Sequence, residues 1–88
     1  MKVFVIAGNY SQFKAFCAKY FPIMDMNSTE FRNYDIVYVA NRTTMLGIES
    51  PWGYKVGTWA DREDIDDISN CIMSRRSTLD GDFIEVDL

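Results

Sequence analysis

The sequence predicts an α/β domain: a layered fold with a mostly parallel sheet of three to five strands and two main helices. Three observations predict it. The runs VFVIA (residues 3–7) and DIVYVA (35–40) are too apolar for half-exposed strands and too short for buried helices. Residues 10–21 and 61–76 carry apolar side chains at helical spacing. Strand patterns alternate with helical ones, the order that lays helices on a parallel sheet through right-handed crossovers.

Residues 3–7 read as a buried strand that ends at Gly8. Asn9 caps the next element and forms a capping box with Gln12. Phe13, Phe16, Cys17, Tyr20 and Phe21 then fall at i, i+3, i+4, i+7 and i+8, a single helical stripe that Pro22 stops. Residues 23–26 read as a short edge strand, and NSTEFRN after them as a turn or one helical turn. Residues 35–40 form the strongest strand of the chain. NRTTMLG follows as one turn, capped by Asn41 and closed by Gly47.

ESPWG is a loop, with Ser50-Pro51 and Gly53 as breakers. YKVGTW, residues 54–59, is the next strand, which Gly57 either weakens or opens to close backbone approach. Asp61 is expected to cap the second helix, residues 61–76, whose stripe is Ile65, Ile68, Cys71 and Ile72. Its acidic first turns and its last-turn Arg75 and Arg76 both suit the helix dipole. Asp80-Gly81 reads as a turn, and DFIEVDL as a final edge strand with Ile84, Val86 and Leu88 facing away from Phe83, Glu85 and Asp87. The order is Rossmann-like, and residues 1–88 are expected to form one domain.

Composition narrows the function. Apolar residues make up 48% of the chain and charged ones 25%, which favours a packed globule over a disordered tail. No apolar run is long enough to cross a bilayer and no secretory pattern opens the chain, so a cytoplasmic location and no membrane partner are expected. Cys17 and Cys71 fall on apolar helix faces, as buried small hydrophobes do. There is no histidine, which removes the commonest zinc ligand and the commonest general base. The net charge of −4 is uneven: residues 1–60 carry six basic and four acidic side chains, residues 61–88 three basic and nine acidic. An acidic last third repels phosphate backbones, so direct nucleic-acid binding is not expected, whereas a basic protein surface is a suitable partner.

Three groups of residues are candidates for a site. In open parallel sheets ligands sit beyond the carboxyl ends of the strands. That edge gathers Gly8, Asn9 and Tyr10, then Asn41, Arg42 and Thr43, then Thr58, Asp61 and Arg62. Backbone amides at Gly8 and Asn9 with an arginine could hold a small nucleotide; the plainer reading makes the asparagines caps and the arginines solvated. The glycine spacing of a dinucleotide site and the lysine of a P-loop are both absent.

The second group is Asp61, Glu63, Asp64, Asp66 and Asp67, five carboxylates in seven residues. It suits a solvated, dipole-favoured helix start, an acidic docking face or, least well, a divalent-metal site. The third is aromatic: Trp52 in a Pro-Gly loop is either an interface anchor or packs over its own sheet edge, Tyr54 accompanies it, and Trp59 is core or site wall. Ser11, Ser69 and Ser74 have no base motif around them, so no catalytic residue and no cofactor are assigned.

VIAGNYSQF, DIVYVANRTTMLG and YKVGTWADREDIDDI together resemble the small, uncharacterised α/β proteins encoded by tailed bacteriophages. In that pattern a strand ends in Ala-Gly-Asn, a Tyr-Val strand leads to a Leu-Arg-Gly turn, and a Val-Gly-Thr-Trp strand runs into an Arg-x-Asp-Ile helix. The resemblance covers residues 4–68. Met45-Leu46-Gly47 stands here where the pattern has Leu-Arg-Gly, so an anion contact from that arginine does not carry over. The resemblance implies an origin and a fold, that of half a nucleotide-binding domain without its P-loop.

The reading of best fit is therefore a non-enzymatic phage-type protein in the bacterial cytoplasm. It would bind a host or viral protein with a basic surface and occlude it, inhibiting a host enzyme or defence system. Trp52, Asp61, Glu63, Asp64 and Asp67 are its expected contacts, and the edge strand at residues 82–88 offers a route to a homodimer. The alternative is a module that sequesters a small nucleotide through Gly8, Asn9, Tyr10, Asn41, Arg42, Thr58 and Arg62.

Overall fold

The β-branched run at residues 2–7 becomes the second strand of a parallel sheet that has four strands among the described residues. The computed structural model describes residues 1–21 and 35–88. The strands are β1 (Lys2–Ala7), β2 (Asp35–Tyr38), β3 (Gly53–Val56) and β4 (Phe83–Val86), in the order β2-β1-β3-β4, with every pair parallel. Val3 to Ala7 are all buried, as expected where a strand has a neighbour on each side and helices on both faces. The expected strand at 23–26 and turn at 27–33 lie outside the described residues.

Alternation along β1 divides the core in two. Phe4 and Ile6 face one way and pack with Val39, Met45, Phe83 and two isoleucines, Ile68 and Ile72, of α2 (Ile65–Ser74). Val5 and Ala7 face the other way and meet Val56 and Phe16 of α1 (Tyr10–Tyr20). Full burial of Phe16, at 1% exposure, contributes about 1.5–3 kcal/mol, the largest single anchor of α1. Asn9 caps α1 as the sequence predicts, its side chain accepting from the Gln12 amide at 2.9 Å. Asn41 likewise accepts from the Thr43 amide at the start of a 3-10 turn, Arg42–Met45, which ends before Gly47 at φ +79°.

Several expectations need correction. The strand expected at 54–59 stops at Val56, because Gly57 turns the chain at φ +61°. The helix expected at 61–76 is shorter: a 3-10 turn, Trp59–Asp61, comes first, and Arg62 is extended at φ −65°, ψ 138°. Asp61 is therefore no cap; Asp64 occupies that position without a side-chain cap bond.

Asp80-Gly81 belongs to a one-turn helix, α3 (Leu79–Asp82), in which the Thr78 hydroxyl accepts from the Gly81 amide. On β4 the apolar faces are exchanged: Phe83 is buried while Ile84 is 61% exposed. Phe83 packs into the α2 cluster, whereas on the other face the α1 cluster takes in Val86 but not Ile84. DIVYVA, read as the strongest strand, has four strand residues and lies at the edge of the sheet among the described residues. Both cysteines are half-buried, on opposite faces of the sheet.

Gly53 explains how the loop can enter β3 so tightly. A Cβ there would stand 1.8 Å from the Phe4 carbonyl oxygen, closer than any side chain tolerates. The close approach lets the Phe4 amide donate to the Trp52 carbonyl at 3.0 Å. No helix among the described residues is long and apolar enough to cross a membrane.

Candidate functional site

Parallel strands end with carbonyls that point out of the sheet and need donors. Here Arg62 supplies them. Its guanidinium donates to the carbonyls of Val39 at 2.7 Å, Ala40 at 2.9 Å and Ala7 at 3.1 Å, tying the ends of β1 and β2 together. Asp64 takes its remaining donors in a two-point pair, Nε to Oδ1 at 2.9 Å and Nη2 to Oδ2 at 3.0 Å. The Arg62 side chain is 8% exposed, and its guanidinium carbon lies 5.9 Å from the centre of the Tyr38 ring. Tyr10 stands edge-on to that ring, at 5.4 Å between centroids.

The gap between the ends of β1 and β3 is the place where neighbours of β1 diverge, the usual crevice of such sheets. Gln12 fills it. Its Oε1 accepts from the backbone amides of Gly8 at 2.9 Å and Thr58 at 3.0 Å, and its Nε2 donates to the Thr58 hydroxyl at 3.0 Å. Two converging amides are what an anion would seek. The carboxamide of this chain already sits there, so the side chain that completes the expected capping box reaches past Asn9 to the next amide. A Cβ on Gly57 would come within 2.4 Å of the same Oε1.

The structure thus brings Gly8, Thr58, Arg62 and Tyr10 to one edge, and commits the Gly8 and Thr58 amides to Gln12 and the Arg62 guanidinium to Asp64 and the strand-end carbonyls. Asn9 and Asn41 are caps, and the Thr43 hydroxyl also donates to the Asn41 side chain. Arg42 leaves this set. It is exposed, its side chain has no hydrogen bond or ion pair among the described residues, and it lines a groove between the 3-10 turn and α2.

The acidic run is divided as well. Asp64 is bound to Arg62, while Asp61, Glu63, Asp66 and Asp67 are exposed and form no ion pair among the described residues. No three carboxylate or thiol groups among the described residues converge as a metal-ion site. Trp52 is 36% exposed but precedes β3, whereas residues 61–67 follow it. A four-residue strand of about 13 Å separates the two, on opposite edges of the sheet. Trp59 packs on the α2 cluster and under the Lys55 ammonium, 4.9 Å from its ring centre; Lys55 is buried and reaches exposed Asp80 at 3.8 Å.

Sequence reasoning missed two residues. Gln12 is assigned to a cap but closes the crevice; the signal was a glycine four residues before it and a Gly-Thr after the next parallel strand. Arg75 is assigned to the helix dipole but lines the groove beside Arg42. Its spacing from Cys71, one turn of α2, was the available sign. No protein-family model matches the chain, and no curated protein or solved structure is similar to it at a significant level.

Proposed function

We propose that the protein is a non-enzymatic binding protein whose acidic edge docks on a basic surface of a partner protein. One observation carries this reading. Asp61, Glu63, Asp66 and Asp67 project from one short stretch, exposed and without a cation among the described residues. Four unpaired carboxylates repel one another, and a basic partner relieves that repulsion and steers the encounter. Their support is firm, because Arg62, in the middle of the run, is tied to the ends of β1 and β2 and paired with Asp64, the residue that precedes α2.

The bacteriophage origin implied by the resemblance belongs to the same proposal, as does the finer likeness to half of a nucleotide-binding fold. The partner is then a host or viral protein in the bacterial cytoplasm, inhibited by occlusion. Trp52 lies at the other edge and is outside this contact. Self-pairing through β4 is also disfavoured, since an antiparallel seam would set Glu85 and Asp87 of two copies along one line.

Affinity capture from bacterial lysate with the wild type and with Asp61→Lys/Asp66→Lys tests the reading. A stoichiometric partner held at low salt, released at moderate salt and lost with the double variant supports it. A partner retained equally by both proteins, or none held at low salt, overturns it.

A further inference from the structure

The groove beside Arg42 has a volume of about 440 Å³, within the range of small-molecule sites. One wall is a stripe along α2 and the residue that ends it: Asp67, Asn70, Cys71 and Ser74, then Arg75, at i, i+3, i+4, i+7 and i+8. At the rise of an α-helix, Asp67 and Arg75 stand about 12 Å apart along the axis. Arg42 sits between them, because the Cys71 thiol reaches the Arg42 carbonyl at 3.5 Å. The opposite wall is the 3-10 turn, with Thr43 and Leu46.

The two arginines differ from the others of the described chain. Arg62 is fully engaged and Arg76 pairs with Glu49. Neither Arg42 nor Arg75 has a side-chain hydrogen bond or ion pair among the described residues. The Nε of Arg75 is sealed from solvent without an acceptor. That Nε has no exposed surface for a ligand to reach, so what the groove offers an anion is the charge of two arginines without partners of their own. The geometry points to a binding site for a small phosphomonoester with a hydroxyl-bearing body, of the size of a nucleoside monophosphate.

The phosphate takes the arginine side of the groove, where Arg42 and Arg75 both line the wall and guanidinium forks suit its oxygens. Asp67, toward the other end, accepts from a hydroxyl of the body, a role its carboxylate fills without an ion pair to compete for it. Thr43 and Asn70 lie between the ends with hydroxyl and carboxamide groups, and Leu46 offers an apolar patch for the body. Two positive charges against one negative select an anion, and the carboxylate selects one that also carries donors. This site is separate from the Gly8 and Thr58 amides, which Gln12 occupies, and it does not rest on the docking reading.

Calorimetric titration with the four ribonucleoside 5′-monophosphates tests it, with the nucleosides and inorganic phosphate as controls. At least one monophosphate should bind at one per chain, with its nucleoside and inorganic phosphate each at least tenfold weaker. Arg42→Gln and Arg75→Gln should each weaken it by about tenfold or more, and Asp67→Asn by less, without changing the response to inorganic phosphate. Arg42 is exposed, so an unchanged melting temperature in Arg42→Gln excludes unfolding as the cause. Absence of saturable binding by all four, equal binding by Arg42→Gln, or inorganic phosphate binding as tightly as the nucleotides would overturn the proposal.

Discussion

The carboxyl edge of the sheet and the groove along α2 hold similar residues in opposite states. At the edge, Arg62 and Gln12 spend their hydrogen bonds on the strand ends, and a site that looks ready for an anion is closed by the protein itself. In the groove, Arg42 and Arg75 have no such partners. Residue type alone does not separate the two, for both contain arginine beside aspartate near a helix. What separates them is whether nearby backbone carbonyls need donors. The ends of β1 and β2 do. Along α2 they do not: its last-turn carbonyls already accept from the Ser74 hydroxyl and from the Arg75, Arg76 and Ser77 amides.

The largest effect expected from this contrast is at Arg62. Arg62→Ala leaves three carbonyls and the Asp64 carboxylate without their donor and should cost about 3–5 kcal/mol of stability in urea unfolding. A cost near zero would break the comparison. Arg62→Lys should recover only part of it, since an ammonium cannot fork to carbonyls and carboxylate together. Gln12→Ala comes next, at about 1–2 kcal/mol, because the Gly8 and Thr58 amides lose an acceptor that water can partly replace at this half-exposed site. Amide exchange at Gly8 and Thr58 should accelerate in the same variant.

The smallest effects belong to the groove and the acidic run. Arg42→Gln and Asp66→Asn should each leave stability within about 0.5 kcal/mol of wild type. Their consequences should be visible only in binding. A stability loss at Arg42 as large as at Arg62 would show that the groove arginine is structural too.

Much of the architecture was legible from periodicity. VFVIA could only be a buried strand, the Phe13–Phe16–Cys17 stripe could only be a helix, and Asn9 and Asn41 announced their caps. The errors have one origin: residues whose local preference was overruled by distant groups. DREDIDDI looks like an uninterrupted helix start, but Arg62 is drawn to carbonyls 22 to 55 residues away and its backbone extends to reach them. Phe83 and Ile84 are equally apolar, and which one is buried depends on which helix cluster takes it in. The strand-end edge was legible as a place, from the order of elements. That Gln12 would fill it and that Arg42 would face α2 instead are matters of side-chain reach, which spacing along one chain does not encode.

The most direct test of the contrast is a map of amide chemical shifts during titration with the ribonucleoside monophosphate that binds best. Shifts at Thr43, Asn70, Cys71 and Arg75, with Gly8, Asn9 and Thr58 unmoved, are the predicted result. Shifts centred on Gly8 and Thr58 would place the ligand where Gln12 now sits and contradict the account.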